Sequence, residues 1–273
     1  MTEATKSKCV MRQSKLGLME SCGEAYRRQE IERDRGVTNF YLVRGSAVHV
    51  GRKHNLRQKI QTHIDLSVGE VMDSARDYVV EEFSNRDVGG GGELDGLGRA
   101  AIRSHTVDSS VELARLDYEV FQRPLQPLAV EVKLEVELPG YPFDLQGTLD
   151  VEDDAHWLRD LKTASKTPSQ ADVDDSEQLS IYSLMYQAWK GQPPAGISYD
   201  YVVALKKPKA VRIETYRTAA DHQAVLNRLT MAVRAIEKGV FMPCQSSHWK
   251  CSPRWCEFYG TCRYVNGKDR PKS

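Results

Sequence analysis

A mixed α/β domain, with a central mixed sheet flanked by helices and a helical N-terminal region, is the fold class this 273-residue sequence predicts. Three observations carry it. Apolar residues recur every three or four positions through most of residues 1–124. A period-two run then follows Pro124 and Pro127. Beyond it, strand-like and helix-like stretches alternate, giving the order helices, meander, helix, hairpin, helix.

The elements follow in order. "SKLGLMESCGEAYRRQEI" spaces Leu16, Met19, Cys22 and Tyr26 as one helix. "RGSAVHVGRKHN" starts a helix at Gly45 or Ser46, with His49 in its first turns, and residues 56–83 continue the helical period. "VGGGGELDGLG" is glycine-rich and costly to order, so residues 88–98 read as a mobile loop. A helix from Ser109 to Phe121 ends ahead of the two prolines. In "AVEVKLEVEL", Val130, Val132, Leu134, Val136 and Leu138 share one face and Glu131, Lys133, Glu135 and Glu137 the other, as in a half-buried strand. "FDLQGTLDV" and "WLRDLKT", either side of an "EDDAH" turn, complete an antiparallel meander. Ser176 caps a helix that runs to Lys190 and stops at Gly191. "ISYDYVVALKK" and "AVRIETYRT" are two further strands, and "DHQAVLNRLTMAVRAIEKG" is the last helix. The chain reads as a single domain, with a mainly helical part (1–124), a sheet with its accompanying helix (125–218) and a helix with a cysteine-rich tail (219–273).

Basic and acidic residues number 38 each, so any attraction to a polyanion or a membrane must be local. No run of about 18 uncharged apolar residues occurs, and the opening "MTEATKSKCV" has no apolar core of signal-peptide length. A soluble, cytoplasmic protein is expected.

The chemistry concentrates in the meander. If Glu152 lies opposite Leu158 across a five-residue loop, Asp150 falls opposite Asp160, and Lys162, two residues on, shares their face. Two carboxylates at that distance repel unless a cation lies between them, and a hard divalent ion such as Mg²⁺ suits oxygen ligands. A lysine beside the ion can orient a water, assist its deprotonation or neutralise charge developing on a phosphate. Read alone, the same residues also describe an exposed hairpin with a charged face.

"GTLD" at 147–150 followed by "DLK" at 160–162 resembles the GxxD and (D/E)xK motifs of the PD-(D/E)XK nuclease superfamily, in its RecB-like branch. "GSAVH" resembles the upstream Gly and His motif, and "QLSIY" resembles the QxxxY helix motif; the pieces occur in family order over about residues 14–264. The resemblance implies a restriction-endonuclease-like core and a Mg²⁺- or Mn²⁺-dependent deoxyribonuclease. His49, Asp150 and Asp160 would be the metal ligands, Lys162 the water-activating residue, and Glu131 a supporting carboxylate. Gln178 and Tyr182, four apart on one helix face, would position DNA or the lysine. An exonuclease of phage or prokaryotic recombination or repair is the expected activity, in a prokaryotic or phage-infected cell. A DNA-binding module without turnover and a site-specific endonuclease are the alternatives. No residue names a helicase or recombination partner.

Cys251, Cys256 and Cys262 lie within twelve residues, and Cys22 lies far upstream. Three thiolates so close suggest a metal or cluster with a fourth ligand from elsewhere. A subset of RecB-like nucleases is similar here, and the resemblance implies a 4Fe–4S cluster on Cys22, Cys251, Cys256 and Cys262 that staples the chain ends together. The four residues between Cys251 and Cys256 depart from the commonest spacing. Structural Zn²⁺, substitution by Cys9 or Cys244, and reduced buried thiols stay open. The tail also carries Arg254, Arg263, Lys268, Arg270 and Lys272 among Trp255, Phe258 and Tyr259, a composition that can grip phosphates and stack bases or simply be solvated.

Overall fold

The computed structural model describes residues 8–34, 36–253 and 255–265. A six-stranded mixed sheet forms its centre. The strands are β1 (Cys9–Met11), β4 (Pro127–Val136), β5 (Phe143–Asp153), β6 (Trp157–Ala164), β7 (Gly196–Val203) and β8 (Lys209–Thr215). A second, two-residue parallel ladder joins β2 (Thr38–Asn39) to β3 (Val88–Gly89), so the glycine-rich stretch expected as a loop supplies a short strand. The meander β4–β5–β6 is antiparallel as expected, β7 lies parallel to β6, and β8 returns antiparallel.

Two cores cover the sheet. On one side α3 (Phe40–Thr62), α4 (Val68–Asn85) and α5 (Arg99–Asp117) bury Phe40, Ala47, Val79 and Leu113 against Leu161 of β6 and Val202 of β7. On the other, α1 (Gln13–Ser21), α7 (Glu177–Lys190) and α8 (Ala219–Glu237) bury Leu16, Met185 and Leu229 against Leu145, Leu158 and Ile197. The short α6 (Gln170–Asp174) leads into α7. Among the described residues, no helix is long and apolar enough to cross a membrane.

Several boundaries differ from the sequence reading. α3 begins at Phe40 rather than at Gly45 or Ser46, because the Asn39 side chain caps it by accepting the Leu42 N–H at 3.1 Å. The period over residues 56–83 belongs to two helices. His63 ends the first in the left-handed region (φ 58°), and Ser67 with Glu70 forms a capping box for the second. α5 starts ten residues earlier than Ser109, at Arg99, and continues through a π turn over Tyr118–Gln122. The first predicted helix breaks at Cys22, which is extended (φ −167°), before α2 (Gly23–Tyr26) and a π turn over Arg27–Ile31. By contrast, Ser176 and Gly191 bound α7 where the sequence places them.

Candidate active site

The site lies in a fork between two strands. β5 pairs with β4 along nearly its whole length, but meets β6 only at Val151–Arg159 and Glu152–Leu158, in the register the sequence predicts. One residue earlier the strands part, and the Asp150 carboxylate accepts the Leu161 N–H at 3.1 Å. Beyond the fork β6 follows β7 instead, which carries Asp160 and Lys162 along the opening. They flank Leu161, whose side chain goes into the α3–α5 core, so by alternation they face the opposite way. Asp150, Asp160 and Lys162 are thus brought together.

Electrostatics make this a charged cluster short of water. Asp160 is 3% exposed, and burial pushes its carboxyl up to about 6; the Lys162 ammonium opposes that rise and the Asp150 carboxylate adds to it. Burial also raises Asp150, against Lys162 and the Leu161 N–H. For Lys162, burial works against the charge, but Asp160 and Asp150 outweigh it and hold the ammonium above the ordinary lysine range. Its Nζ lies 2.6 Å from Asp160 Oδ2 and 5.1 Å from the centre of the Tyr199 ring.

His49 comes from α3. Gly45, one turn earlier, lets the helix lie close to β6: a Cβ there would sit 3.2 Å from Thr163 Oγ1. The imidazole Nδ1 is 3.3 Å from Asp150 Oδ2, and burial pushes its pKa down to about 4, so the ring is neutral near pH 7. Glu131 sits opposite Asp150 in the β4–β5 register, between the pairs Val130–Val151 and Val132–Leu149. Its φ of 53° is the left-handed region, which costs a non-glycine residue energy and interrupts the regular alternation expected of this strand. Lys53, one turn after His49, ion-pairs with it at 3.3 Å.

The donors fit a divalent ion. Ligand atoms of His49, Glu131 and Asp150 all lie within 4.8 Å of one another. Asp160 Oδ2 is buried with the Lys162 ammonium 2.6 Å away, and it is a further carboxylate oxygen beside this group. A carboxylate-rich set with one neutral imidazole suits Mg²⁺ or Mn²⁺.

α7 supplies the remaining motif residues. Gln178 Nε2 donates to Asp160 Oδ1 at 2.9 Å, and its Oε1 accepts from the Tyr199 hydroxyl at 3.3 Å. Gln178 therefore holds a carboxylate, where the sequence reading gave it DNA or the lysine. The Tyr182 phenol, raised by burial, lies beside it and borders a cavity of about 430 Å³ that also takes in Arg12, Lys133, Gly147 and Thr148. Gly147 lets α7 approach β5, since a Cβ there would meet Met185 Sδ at 3.1 Å.

Sequence reasoning missed Arg52. It lies on α3 one turn beyond His49, almost fully buried, and donates to Asp200 on β7, which also receives two bonds from Arg212. Asp117 lies 3.7 Å from the same guanidinium, which extends its positive field to Asp150. The available signal was Asp200 itself, a charged residue in the apolar strand run "ISYDYVV".

Cys22 is brought to the C-terminal cysteines. The Cys244 N–H points to Cys22 Sγ at 3.4 Å. Burial first, then Cys22 and Cys251, push the Cys244 thiol up to about 12. Cys256 is raised by burial, with Cys22, Cys262 and Cys251 adding to it. The four expected cysteines thus converge and Cys244 joins them, while Cys9 lies on β1. Thiolates this close and partly buried would repel one another, and a bound metal or cluster relieves that repulsion. Of the aromatic tail residues, Phe258 is buried beneath Arg28, whose guanidinium is 4.4 Å from the ring centre. Arg254, Lys268, Arg270 and Lys272 lie outside the described residues.

With fold and site in place, comparison with known proteins defines the class. The family model "PD-(D/E)XK nuclease superfamily" matches residues 12–263, and the chain belongs to that superfamily. Among solved structures, it overlays with a TM-score of 0.58 on a crystal structure described as "Putative exonuclease" from Eubacterium rectale, at 13% identity, covering 100% of this chain and 96% of that one. A second, SSO0001, overlays more loosely, with a TM-score of 0.43 at 12% identity over 96% of this chain and 89% of that one. No curated protein sequence matches. The fold and the superfamily are therefore in agreement.

Proposed function

We propose that the protein is a metal-dependent DNA nuclease that hydrolyses phosphodiester bonds from strand ends, serving phage or prokaryotic recombination or repair in the cytoplasm. The observation that carries this reading is the meeting of Asp150, Asp160 and Lys162 in the β5–β6 fork, beside His49 and Glu131. The exonuclease name of the Eubacterium rectale protein agrees with it.

Asp150 and Asp160 would hold Mg²⁺ or Mn²⁺, with His49 as an imidazole ligand and Glu131 in support. When bound, such an ion supplies Lewis acidity and lowers the pKa of a coordinated water. Lys162 directs its ammonium at the place where negative charge grows on the phosphate, and helps to orient the attacking water. Gln178 keeps Asp160 from rotating away, and Tyr182 shapes the cavity beside the fork.

For the cysteines we assign a 4Fe–4S cluster with a structural role, tying the N-terminal helices to the tail. The convergence of Cys22, Cys244, Cys251, Cys256 and Cys262 supports a site held by a metal or cluster, with structural Zn²⁺ as the alternative occupant.

The test is digestion of end-labelled single- and double-stranded DNA with Mg²⁺ or Mn²⁺. Progressive shortening that stops on chelation, and in Asp160→Asn and Lys162→Ala, is the expected result. Discrete bands would indicate an endonuclease, and retarded but uncut DNA a binding module. Parental cleavage by both variants would refute the site.

A further inference from the structure

We propose that the β7–β8 hairpin, through Lys206, Lys207 and Lys209, grips the phosphate backbone of a DNA strand a few nucleotides from the β5–β6 fork, an inference that rests on the nuclease reading above. The loop comprises residues 204–208 and is closed by the Val203–Lys209 pair. All three lysines are exposed, and among the described residues none of them enters an ion pair or a side-chain hydrogen bond. Lys8, Lys53, Lys59 and Lys190, by contrast, each meet a carboxylate within 3.3 Å. Residues 201–213 contain no Asp or Glu, so in a chain of zero net charge the hairpin is a local positive excess.

Position ties the hairpin to the fork. β6 and β7 run parallel, with Lys162 opposite Tyr201 and Ala164 opposite Val203. The Ala204 N–H then donates to the Ala164 carbonyl at 2.8 Å, so the hairpin leaves the sheet beside the end of β6. Thr163 and Ser165, on either side of Ala164, line a cavity of about 460 Å³ that also takes in His49 and Lys162. A strand lying along that cavity from the fork therefore emerges at the hairpin. Five residues of extended chain carry the backbone from Tyr201 to Lys206, at most about 17 Å, or about five steps of 3.4 Å along a DNA strand.

The chemistry of the loop selects the occupant. β8 is an edge strand, and lysines on such a strand also deter edge-to-edge pairing. That role accounts for Lys209, which lies on β8, but not for Lys206 and Lys207, which lie in the loop beyond the ladder. Ammonium groups on flexible stems hold phosphates as point charges. Residues 202–215 contain no aromatic side chain, so the hairpin has nothing to stack on a base, and its grip is the same for every sequence.

The test is fluorescence anisotropy in EDTA with end-labelled strands of about twelve nucleotides, each carrying one neutral methylphosphonate in place of a phosphate. Binding by the parent protein should fall most when the neutral linkage lies about four to six nucleotides from one end. In the combined Lys206→Ala, Lys207→Ala and Lys209→Ala variant those losses should vanish, while losses at other positions remain. The slope of log affinity against log salt should become shallower by about two, at about 0.7 for each single-strand phosphate released. Lys206→Arg, Lys207→Arg and Lys209→Arg together should keep the parental slope. An unchanged slope in the alanine variant, a slope lost in the arginine variant as well, equal losses at every position in the parent, or no measurable binding by the parent would overturn the proposal. The readout needs no cleavage, so a hairpin that fails leaves the hydrolytic site standing, and a protein that holds phosphates without cutting leaves the hairpin standing.

Discussion

Gln178 on α7 and Asp160 on β6 are joined by a hydrogen bond of 2.9 Å, with the amide as donor and the carboxylate as acceptor. The other end of the amide is fixed by Tyr199, which is itself held by Ser176, the residue that caps α7. The helix cap and the Asp160 carboxylate thus belong to one chain of bonds.

Gln178→Ala should free Asp160 and weaken Mn²⁺ binding or turnover by about 10–100-fold, the range found for partners that orient metal ligands. Calorimetric titration with Mn²⁺ measures the first and end-labelled DNA the second. Unchanged values in both would show that the bond only helps α7 to pack.

The Asp160 carboxyl, pushed up to about 6, must lose its proton before it can ligate a cation. Its folded pKa is raised, so below about 6 the protonated form dominates and cation binding must displace a proton. Mn²⁺ affinity should therefore fall as pH drops through about 6. Titrations in buffers of different ionisation enthalpy should show about one proton or more released at pH 5, since burial raises Asp150 as well, and few at pH 7.5. His49, pushed down to about 4, should stay neutral across that range and add no release.

Glu131 places its carboxylate in the site at the cost of a left-handed backbone, φ 53°. Glu131→Gly should remove about 1 kcal/mol of strain and raise the midpoint of thermal unfolding, while metal binding weakens. A variant that loses stability and keeps its metal affinity would assign the strain a purely structural origin. Unfolding followed by circular dichroism, with and without Mn²⁺, separates the two.

The cysteines make a graded set. Cys22→Ser and Cys244→Ser should both lower the iron content and visible absorbance of anaerobically purified protein and expose the tail to proteolysis, because the two residues are in contact. Cys9→Ser, on β1, should change neither. Colourless protein containing zinc would move the whole group to a structural zinc site.

Much of this was legible in the chain itself. The alternation of residues 129–138, the GTLD and DLK spacings, and Ser176 with Gly191 around the QxxxY helix are local signals, and local signals survive folding unchanged. They pointed to the mixed α/β class, the β5–β6 register and the convergence of Asp150, Asp160 and Lys162 on one patch. Helix boundaries were harder to read. A period of 3.6 continues across the left-handed His63, and Asn39 announces a cap only through a side chain that folds back on its own backbone.

Only the tertiary structure decided what lies between distant segments. It put Glu131 beside His49 through a strained backbone that no periodicity encodes. It buried Arg52 between Asp117 and Asp200, turned Gln178 toward Asp160, and gathered Cys244 with Cys22. These contacts join residues far apart in sequence, and their energies come from burial and charge proximity, which exist only once the chain has closed on itself.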